Sequence, residues 1–314
     1  MEKTLVVYAS KYGSAENAAR MMGPILGPAQ VVRVDAFTEK HREFDFVVLI
    51  APIYAGKLYM EMETFIGENE SWLAEKPLVL VCVALDEKDG LRALNEWQQR
   101  FGEAVQRCAW LGGRLDLGLL DQEDRTSLEA FARMTGYQLQ SKDAFDPEKV
   151  IDLALQIKEI IDHGQIDMPQ AEIRQAVEKF LQAHNTCTLC TSRPGHVRGT
   201  PIEYFYKDAC LYMFSEGGEK FANLLLNPKA SVSVYDPYEG FDKLAGLQIT
   251  GEAELIKDDH PDYEQIFVSK GFSVEKFSCL PVQMNVIRIR IEKAEFLWSG
   301  FSKRGYAVRQ SCIF

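Results

Sequence analysis

Two groups of residues in this chain have the side chains and spacing to hold a phosphate. The first is the run Ser10-Lys11-Tyr12-Gly13-Ser14-Ala15, which follows an apolar stretch and precedes a helical pattern. Hydroxyls and free backbone N–H groups at a helix start favour an anion, because the helix dipole is positive there. The run lacks the glycine spacing of dinucleotide and nucleoside triphosphate loops, so a mononucleotide is the better ligand. An ordinary capped turn would use the same residue types.

The second group lies in the other half of the chain and combines cations with hydroxyls. Arg198 and Thr200 stand at the start of one predicted strand, and Ser215 ends the next strand before a short helix that contains Lys220. Ser215 and the backbone N–H groups near Lys220 could cradle a phosphate, with Lys220 and Arg198 supplying positive charge. Solvated charged side chains at strand ends would give the same pattern.

The sequence offers no comparable set for nucleophilic or metal chemistry. It contains no convincing Ser/His/Asp set or pair of catalytic carboxylates, and its five histidines are scattered. Cys187 and Cys190 form a Cys-x-x-Cys pattern, but residues three apart on a strand point to opposite faces, so we expect packing rather than a dithiol or a chelate. His184 and His196 flank the same strand and are the candidate ligands if the group bound were haem.

The elements around the first group predict a parallel sheet covered by helices on both faces. Short apolar strands alternate with helical patterns from Thr4 to Asp162, which is typical of such a sheet. Ligands of these sheets bind where the first and third strands diverge, and Tyr54 follows the third strand there, where its ring could stack on a planar cofactor. We predict five helices and five strands, the strands being Leu5 to Ala9, Val31 to Val34, Phe46 to Ala51, Leu78 to Ala84 and Leu115 to Leu119.

The second half has a different pattern. After a predicted linker from Gln165 to Gln170 and one amphipathic helix, the apolar period changes to two, which predicts antiparallel strands in a small barrel or sandwich, with a tight hairpin at Lys207-Asp208. The predicted domains are residues 1–163 and 164–314. The predicted strands are Thr186 to Thr191, Thr200 to Tyr206, Leu211 to Ser215, Ser231 to Tyr235, Leu244 to Ile256 and Val286 to Glu292.

Composition narrows the classes of function. The 314 residues are 46% apolar and 26% charged, as in an ordinary globular protein. The net charge is -11, of which -9 falls in residues 1–165, the wrong sign for a surface that follows nucleic-acid phosphates. No apolar run reaches the roughly 18 to 20 residues of a membrane helix, and the N-terminal apolar stretch is too short for a signal peptide, so we expect no membrane insertion and a cytoplasmic location. The seven cysteines give no disulfide framework.

The loops of the first half resemble those of flavodoxins, and most closely the short flavodoxin-like family that includes menaquinone-dependent protoporphyrinogen oxidase. The matching stretches are Tyr8 to Ser14, Ala51 to Lys57 and Trp110 to Asp116, in that order. The resemblance implies a bound FMN, but it concerns the cofactor alone and does not extend to a porphyrin substrate. The implied contacts are Ser10, Tyr12, Gly13 and Ser14 with the phosphate, and Tyr54 and Gly56 with the isoalloxazine ring.

One position departs from the flavodoxin pattern. Flavodoxins usually close the phosphate loop with a threonine, whereas this chain has Ala15. The loss of that hydroxyl would weaken the binding of FMN. Arg114 could replace some of the lost attraction, or it could be a surface arginine.

Asn185 to Pro237 resembles the pyridoxamine 5'-phosphate oxidase-like split barrel, particularly its nitroreductase-type branch. That resemblance implies an FMN at the interface of a homodimer, although some members of the superfamily bind deazaflavin or haem. The matching stretches are Cys187 to Ser192, Gly199 to Tyr204, Tyr212 to Ser215, Lys220 to Leu224, Asn227-Pro228 and Gly251 to Glu254. The implied contacts with the phosphate and ribityl chain are Arg198, Thr200, Ser215 and Lys220.

These features predict a flavodoxin-like doubly wound parallel sheet followed by an antiparallel split β-barrel. The expected function is that of an FMN-dependent oxidoreductase of the flavin reductase or nitroreductase type, with one or two FMN per chain, NAD(P)H as electron donor and electrons passing between the two sites. One alternative is a non-enzymatic electron carrier whose acidic first half docks on a redox partner protein. Another is a barrel that binds or degrades haem.

Overall fold

The computed structural model describes residues 2–164, 168–273, 281–282 and 284–314. The chain divides into two compact units, Met1–Gln165 and Ile166–Phe314, each with its own sheet and core. None of the described helices is long and apolar enough to cross a membrane.

The first unit is built on a parallel sheet whose central strands are buried on both faces. The strand order is β2-β1-β3-β5-β6, and β4 turns back antiparallel onto the end of β3. This is the doubly wound order in which the first and third strands diverge at a ligand-binding edge. The strands are β1 (Thr4–Tyr8), β2 (Ala29–Arg33), β3 (Phe46–Tyr54), β4 (Lys57–Leu58), β5 (Leu78–Ala84) and β6 (Val105–Gly112).

Five α-helices belong to this unit, as predicted. They are α1 (Ser14–Ile25), α2 (Met60–Ala74), α3 (Glu87–Phe101), α4 (Gln122–Thr135) and α5 (Pro147–His163). α1 and α5 cover one face of the sheet through residues such as Met22 and Ile157, whereas α2 and α3 cover the other through Ile66 and Trp97. α5 begins at Pro147 because a proline fits the first turn and the Asp146 carboxylate accepts the N–H groups that follow.

The fifth strand is not where the sequence predicted it. Leu115 to Leu119 was expected to be that strand, but β6 occupies the edge of the sheet and pairs with β5. β6 contains the exposed polar residues Gln106 and Arg107, so an edge strand with one partner does not show the continuous apolar run of a central strand. Leu115 instead belongs to a two-residue strand, β7 (Arg114–Leu115), which pairs with β8 (Lys142–Asp143).

The second unit is an antiparallel sheet that curls into a split barrel, as predicted. Its strand order is β10-β9-β13-β14-β15-β12-β11, with β16 added to β15. The strands are β9 (Thr186–Arg193), β10 (His196–Glu203), β11 (Phe205–Lys207), β12 (Cys210–Ser215), β13 (Lys229–Tyr235), β14 (Ala245–Ile256), β15 (Asn285–Trp298) and β16 (Arg309–Ile313). The helices are α6 (Gln170–Ala183), α7 (Glu219–Leu224), α8 (Tyr263–Lys270) and α9 (Ser299–Ser302).

Three strand predictions for this unit need correction. The predicted strand Thr200 to Tyr206 is broken at Tyr204, because that ring is buried and its hydroxyl donates to the Leu181 carbonyl at 2.9 Å. β15 continues past Glu292 to Trp298, across a register shift in its pairing with β14. β16 was not predicted; its alternate residues are exposed, and it pairs only with β15.

The hairpin and the cysteine pair agree with the sequence analysis. β11 and β12 are joined through Asp208 and Ala209, both with positive φ, as a two-residue turn requires, so the turn lies one residue later than predicted. On β9, Cys187 is buried while Cys190 is only partly buried on the other face. Of the predicted linker, residues 165–167 lie outside the described residues, and α6 begins at Gln170.

Candidate functional site

The first candidate site lies at the edge where β1 and β3 diverge. The loop after β1 turns through Gly13, whose φ of 90° lies in the left-handed region that favours glycine, and α1 begins at Ser14. Gly13 gives α1 no side-chain cap, and its own N–H donates to the Ser10 hydroxyl at 3.0 Å. The first N–H groups of this 12-residue helix are therefore available to an anion.

A cavity of about 630 Å³ opens beside this loop. Its lining includes Ser10, Tyr12 and Ser14 from the loop and Tyr54, the last residue of β3. The opposite wall comes from the segment between β6 and α5 and is largely apolar, which suits a planar ring system. That wall includes Leu115, Leu120, Leu128 and Phe131. The structure thus brings four of the six predicted residues of this site to one cavity.

Tyr54 and Gly56 have different surroundings. The Tyr54 ring meets Tyr12 edge-on at 6.2 Å and Tyr59 at 5.5 Å between centroids, and burial raises the pKa of its phenol above the ordinary range. Gly56 is not among the lining residues described for this cavity. Its φ of 72° and the Arg92 guanidinium, 2.4 Å from where a Cβ would stand, make it a turn residue in this structure.

Carboxylates of α4 neutralise the cation of the phosphate loop. Lys11 Nζ lies 2.7 Å from Asp121 Oδ2 and 2.7 Å from Asp124 Oδ2. The Tyr12 hydroxyl donates to Asp124 Oδ2 at 2.5 Å, and both burial and this bond raise the pKa of Tyr12. The sequence analysis did not identify Asp121 and Asp124 as partners of this loop. Their only local signal was the Asp-x-x-Asp spacing, with which the Asp121 carboxylate caps α4 by accepting the Asp124 N–H at 2.8 Å.

Arg114 lines the same cavity, and its side chain is exposed and paired with a carboxylate. Its guanidinium donates to Asp143 Oδ2 through Nε at 2.8 Å and through Nη2 at 2.5 Å, so its charge is already paired. Its backbone N–H does reach the site, because it donates to the Ser14 hydroxyl at 3.2 Å. Ala15 itself is buried at the cavity wall.

The second candidate site lies in the split barrel, where β10 approaches the start of α7. Lys220 is only 8% exposed, and its ammonium donates to the Gly217 carbonyl at 2.6 Å. No carboxylate among the described residues forms an ion pair with it. Burial lowers the pKa of Lys220, and the nearby Arg198 lowers it further, while Glu216 opposes them. A buried ammonium with one acceptor for its three donors fits an anion.

The turn that leads into α7 orients these groups. Gly217 and Gly218 have φ of 150° and 113°, which a side chain would strain, so the backbone can pass close to a ligand here. The Ser215 hydroxyl bonds with Gly217, donating to its carbonyl at 3.2 Å and accepting its N–H at 3.3 Å. Ser215 and Lys220 therefore meet at the same carbonyl.

Arg198 and Thr200, the two predicted site residues of β10, differ in their contacts with this group. Arg198 Nη1 pairs with Glu219 Oε2 at 3.2 Å, which places its guanidinium at the start of α7. Thr200 is two residues along the strand and hence on the same face as Arg198. Asn223, which sequence reasoning missed, is fully buried and ties α7 to β9 by donating to the Thr191 hydroxyl at 3.0 Å.

The histidines considered as haem ligands differ in availability. Both ring nitrogens of His184 have partners at 2.8 Å, the Phe180 carbonyl at Nδ1 and Asp236 Oδ1 at Nε2. His196 is exposed at the start of β10. Within the described ranges, no group of three or more His, Cys, Asp or Glu residues could hold a metal ion.

Comparison with protein families matches each unit to a different model. Residues 5–142 match the flavodoxin domain family, and residues 173–298 match the family described as pyridoxamine 5'-phosphate oxidase. A search of curated proteins found no match.

Solved structures similar to part of this chain include binders of different groups. An FAD-binding protein from Mesorhizobium loti is 24% identical, with a TM-score of 0.31, covering 37% of this chain and 87% of its own. The heme storage protein HutZ from Vibrio cholerae is 18% identical, with a TM-score of 0.32, covering 38% and 89%. A heme binding protein from Mycobacterium smegmatis is 18% identical, with a TM-score of 0.32, covering 43% and 56%.

The family matches agree with the two sheets. Both families are flavin-binding, which suggests a redox role for the chain. This protein therefore joins an N-terminal flavodoxin domain to a C-terminal split barrel of the pyridoxamine 5'-phosphate oxidase type.

Proposed function

We propose that this protein is an FMN-dependent oxidoreductase that takes electrons from NAD(P)H and has an FMN site in each domain. The observation that carries the proposal is the buried ammonium of Lys220, which has no carboxylate partner in the described residues and lies beside Arg198. A phosphate dianion would supply the missing charge. The porphyrin substrate of the resembling protoporphyrinogen oxidase is not part of this proposal.

The residues present fit FMN in the barrel. Lys220 and Arg198 would hold the phosphate, Ser215 would donate its hydroxyl, and Thr200 would contact the ribityl chain from the same strand face as Arg198. In the flavodoxin domain, Ser10, Ser14 and the α1 N–H groups would hold the phosphate, while Tyr54 would pack on the ring. When bound, FMN supplies the redox chemistry, so the protein needs to orient it and exclude water.

Purified protein tests the cofactor directly. We expect a flavin absorption spectrum and, after denaturation, FMN released in an amount between one and two per chain. Reduction of that spectrum by NADH or NADPH under anaerobic conditions would support the enzyme. A deazaflavin in the released fraction, a Soret band, or the absence of any flavin from protein reconstituted with FMN would contradict the proposal.

A second function is favoured by the acidity of the first domain. Residues 1–165 carry a net charge of -9, which would attract a basic redox partner protein and make this chain an electron carrier. Salt distinguishes the two functions, because long-range attraction between charged surfaces is screened as ionic strength rises. Turnover with a small-molecule acceptor that is insensitive to salt supports the oxidoreductase, whereas a steep loss of partner-dependent turnover supports the carrier.

We also propose that the barrel forms a homodimer. Three strongly exposed apolar side chains flank the phosphate clamp: Val197 at 82%, Leu225 at 72% and Leu226 at 73% exposure. A second copy covering them would shield the flavin as well. Sedimentation should give about twice the chain mass of 35.6 kDa. A monomer that retains barrel flavin at micromolar concentration would contradict this.

Electron transfer between the two sites is the last part of the proposal. Joining the domains in one chain raises the effective concentration of each at the other, up to about millimolar for a short linker. Stopped-flow reduction should show two spectral phases, the second independent of protein concentration. Cleavage of the chain near Gly164 should slow that second phase at low concentration. An unchanged rate after cleavage would refute transfer through the tether.

A further inference from the structure

The helix α4 contacts the proposed phosphate-binding loop of the flavodoxin domain but contributes no buried residue to the core. α4 belongs to a lobe, residues 114–143, inserted between the fifth sheet strand and α5. None of its residues is buried, whereas α1, α2 and α3 each bury five or more. The lobe is joined to the loop through polar contacts of Lys11 and Tyr12 with Asp121 and Asp124.

These carboxylates stand where a phosphate would have to compete with them. Asp124 lines the same cavity as Ser10, Tyr12 and Ser14. Its Oδ2 takes both the Lys11 ammonium, at 2.7 Å, and the Tyr12 hydroxyl, at 2.5 Å. A phosphate entering this cavity would meet the negative charge of Asp124. It would also find the Lys11 ammonium and the Tyr12 hydroxyl already bonded to that carboxylate. The N–H of Asp124 and the Lys11 ammonium lower the pKa of Asp121, so both groups stabilise the charged form of this second carboxylate.

We propose that Asp121 and Asp124 are internal anionic ligands of the phosphate loop, which the flavin phosphate must displace, so that FMN binding to this domain releases α4. The proposal rests on the FMN site proposed above. In this exchange no covalent bond changes: Lys11 and Tyr12 exchange carboxylate oxygens for phosphate oxygens, and the lobe loses its carboxylate contacts with the loop but keeps the bond from the Arg114 N–H to the Ser14 hydroxyl. These two aspartates would therefore set the affinity of the flavodoxin domain for phosphate-bearing flavins.

The charge-neutral variant D121N/D124N of the full chain tests this exchange. Asparagine also caps a helix start, so α4 should be retained. The control variant is E123Q/E129Q, which removes two charges from the same helix at carboxylates that form no ion pair with a described residue. FMN should bind to the flavodoxin site about tenfold more tightly in D121N/D124N than in the wild type or the control, because the phosphate no longer has to displace charged carboxylates.

Two further measurements separate this competition from a change in folding. Riboflavin, which lacks the phosphate, should bind the wild type and D121N/D124N equally. In the wild type, FMN should speed hydrogen exchange in residues 122–135, and in D121N/D124N the exchange there should be fast without FMN. Equal FMN affinity in all three proteins would overturn the inference and leave the proposed function standing. Failure of every variant to bind FMN through this domain would overturn both.

Discussion

The two candidate phosphate sites of this protein differ in the surroundings of their lysine side chain. In the flavodoxin domain, Lys11 is partly exposed and contacts two carboxylates at 2.7 Å. In the barrel, Lys220 is buried and donates to the Gly217 carbonyl; Arg198 lowers its pKa and Glu216 opposes that effect, but no described carboxylate forms an ion pair with it. A lysine near a phosphate loop is therefore a weak indication of a site. What distinguishes a site is a cation left without its own counter-charge.

The backbone contribution differs in the opposite sense. α1 is a 12-residue helix whose uncapped start meets the loop, whereas α7 has six residues and gives a smaller dipole. We therefore expect the flavodoxin site to depend more on N–H groups and hydroxyls, and the barrel site more on buried charge.

The largest effect should come from Lys220→Ala. Removing the buried ammonium takes away a charge-assisted contact with the phosphate, and we expect barrel FMN to bind about 100-fold more weakly. Flavin fluorescence titration measures this. Lys229→Ala is the matched control, because Lys229 is exposed and paired with Glu252 and Glu292. An equal loss in both variants would mean that the charge acts at a distance rather than as a clamp.

Gly13→Val should weaken flavin binding at the other site only, by about thirtyfold. Nothing lies within 4 Å of the position of a new Cβ, but φ of 90° strains a β-branched residue, and the side chain would stand in the approach to the loop. Gly102→Val is the matched control, since Gly102 at the end of α3 also has a positive φ, 54°, and nothing within 4 Å of a new Cβ. Comparable flavin loss in the two variants would point to unfolding instead.

The pH dependence of FMN binding should differ between the sites. Burial and Arg198 lower the pKa of Lys220, and only its ammonium form attracts the phosphate. Barrel affinity should therefore be highest below that pKa and fall as pH rises through it, at lower pH than for an ordinary lysine. Lys220→Arg, which stays charged, should remove this decline. Titrations at a series of alkaline pH values test it, and a decline that persists in Lys220→Arg would exclude Lys220 as its cause.

The smallest effect should come from Ala15→Ser, which adds a single hydroxyl to the start of α1. Because Ala15 lines the cavity, the hydroxyl can donate to the phosphate, and we expect FMN to bind the flavodoxin site a few-fold more tightly, about 1 kcal/mol at most. Isothermal titration calorimetry would resolve this. Ala18→Ser, on the buried face of the same helix, is the control and should lower stability without tightening binding.

The strands most accurately predicted were those with the simplest surroundings. Leu78–Ala84 is buried along its whole length, so continuous apolar character predicts both of its ends. The sequence analysis missed β6 because it is an edge strand with polar residues on its exposed side. It missed β16 because that strand is short and, within the described residues, pairs with one strand. In each case the strand is stabilised by pairing with another strand, which its own residue pattern does not contain.

Sequence patterns were enough to predict the two-domain order and the loop Ser10 to Ser14 at the sheet edge, and they propose the residues of the barrel clamp. Those features depend on local patterns of apolar residues, glycines and hydroxyls. The charge partners at each site depend on the folded chain. Lys11 meets Asp124 across 113 positions of sequence, whereas Lys220 forms no ion pair with a carboxylate of the described residues. The sequence gives the charge of each side chain, but folding selects its partner. Ion pairs form between the groups that the packed elements bring within a few ångströms of each other.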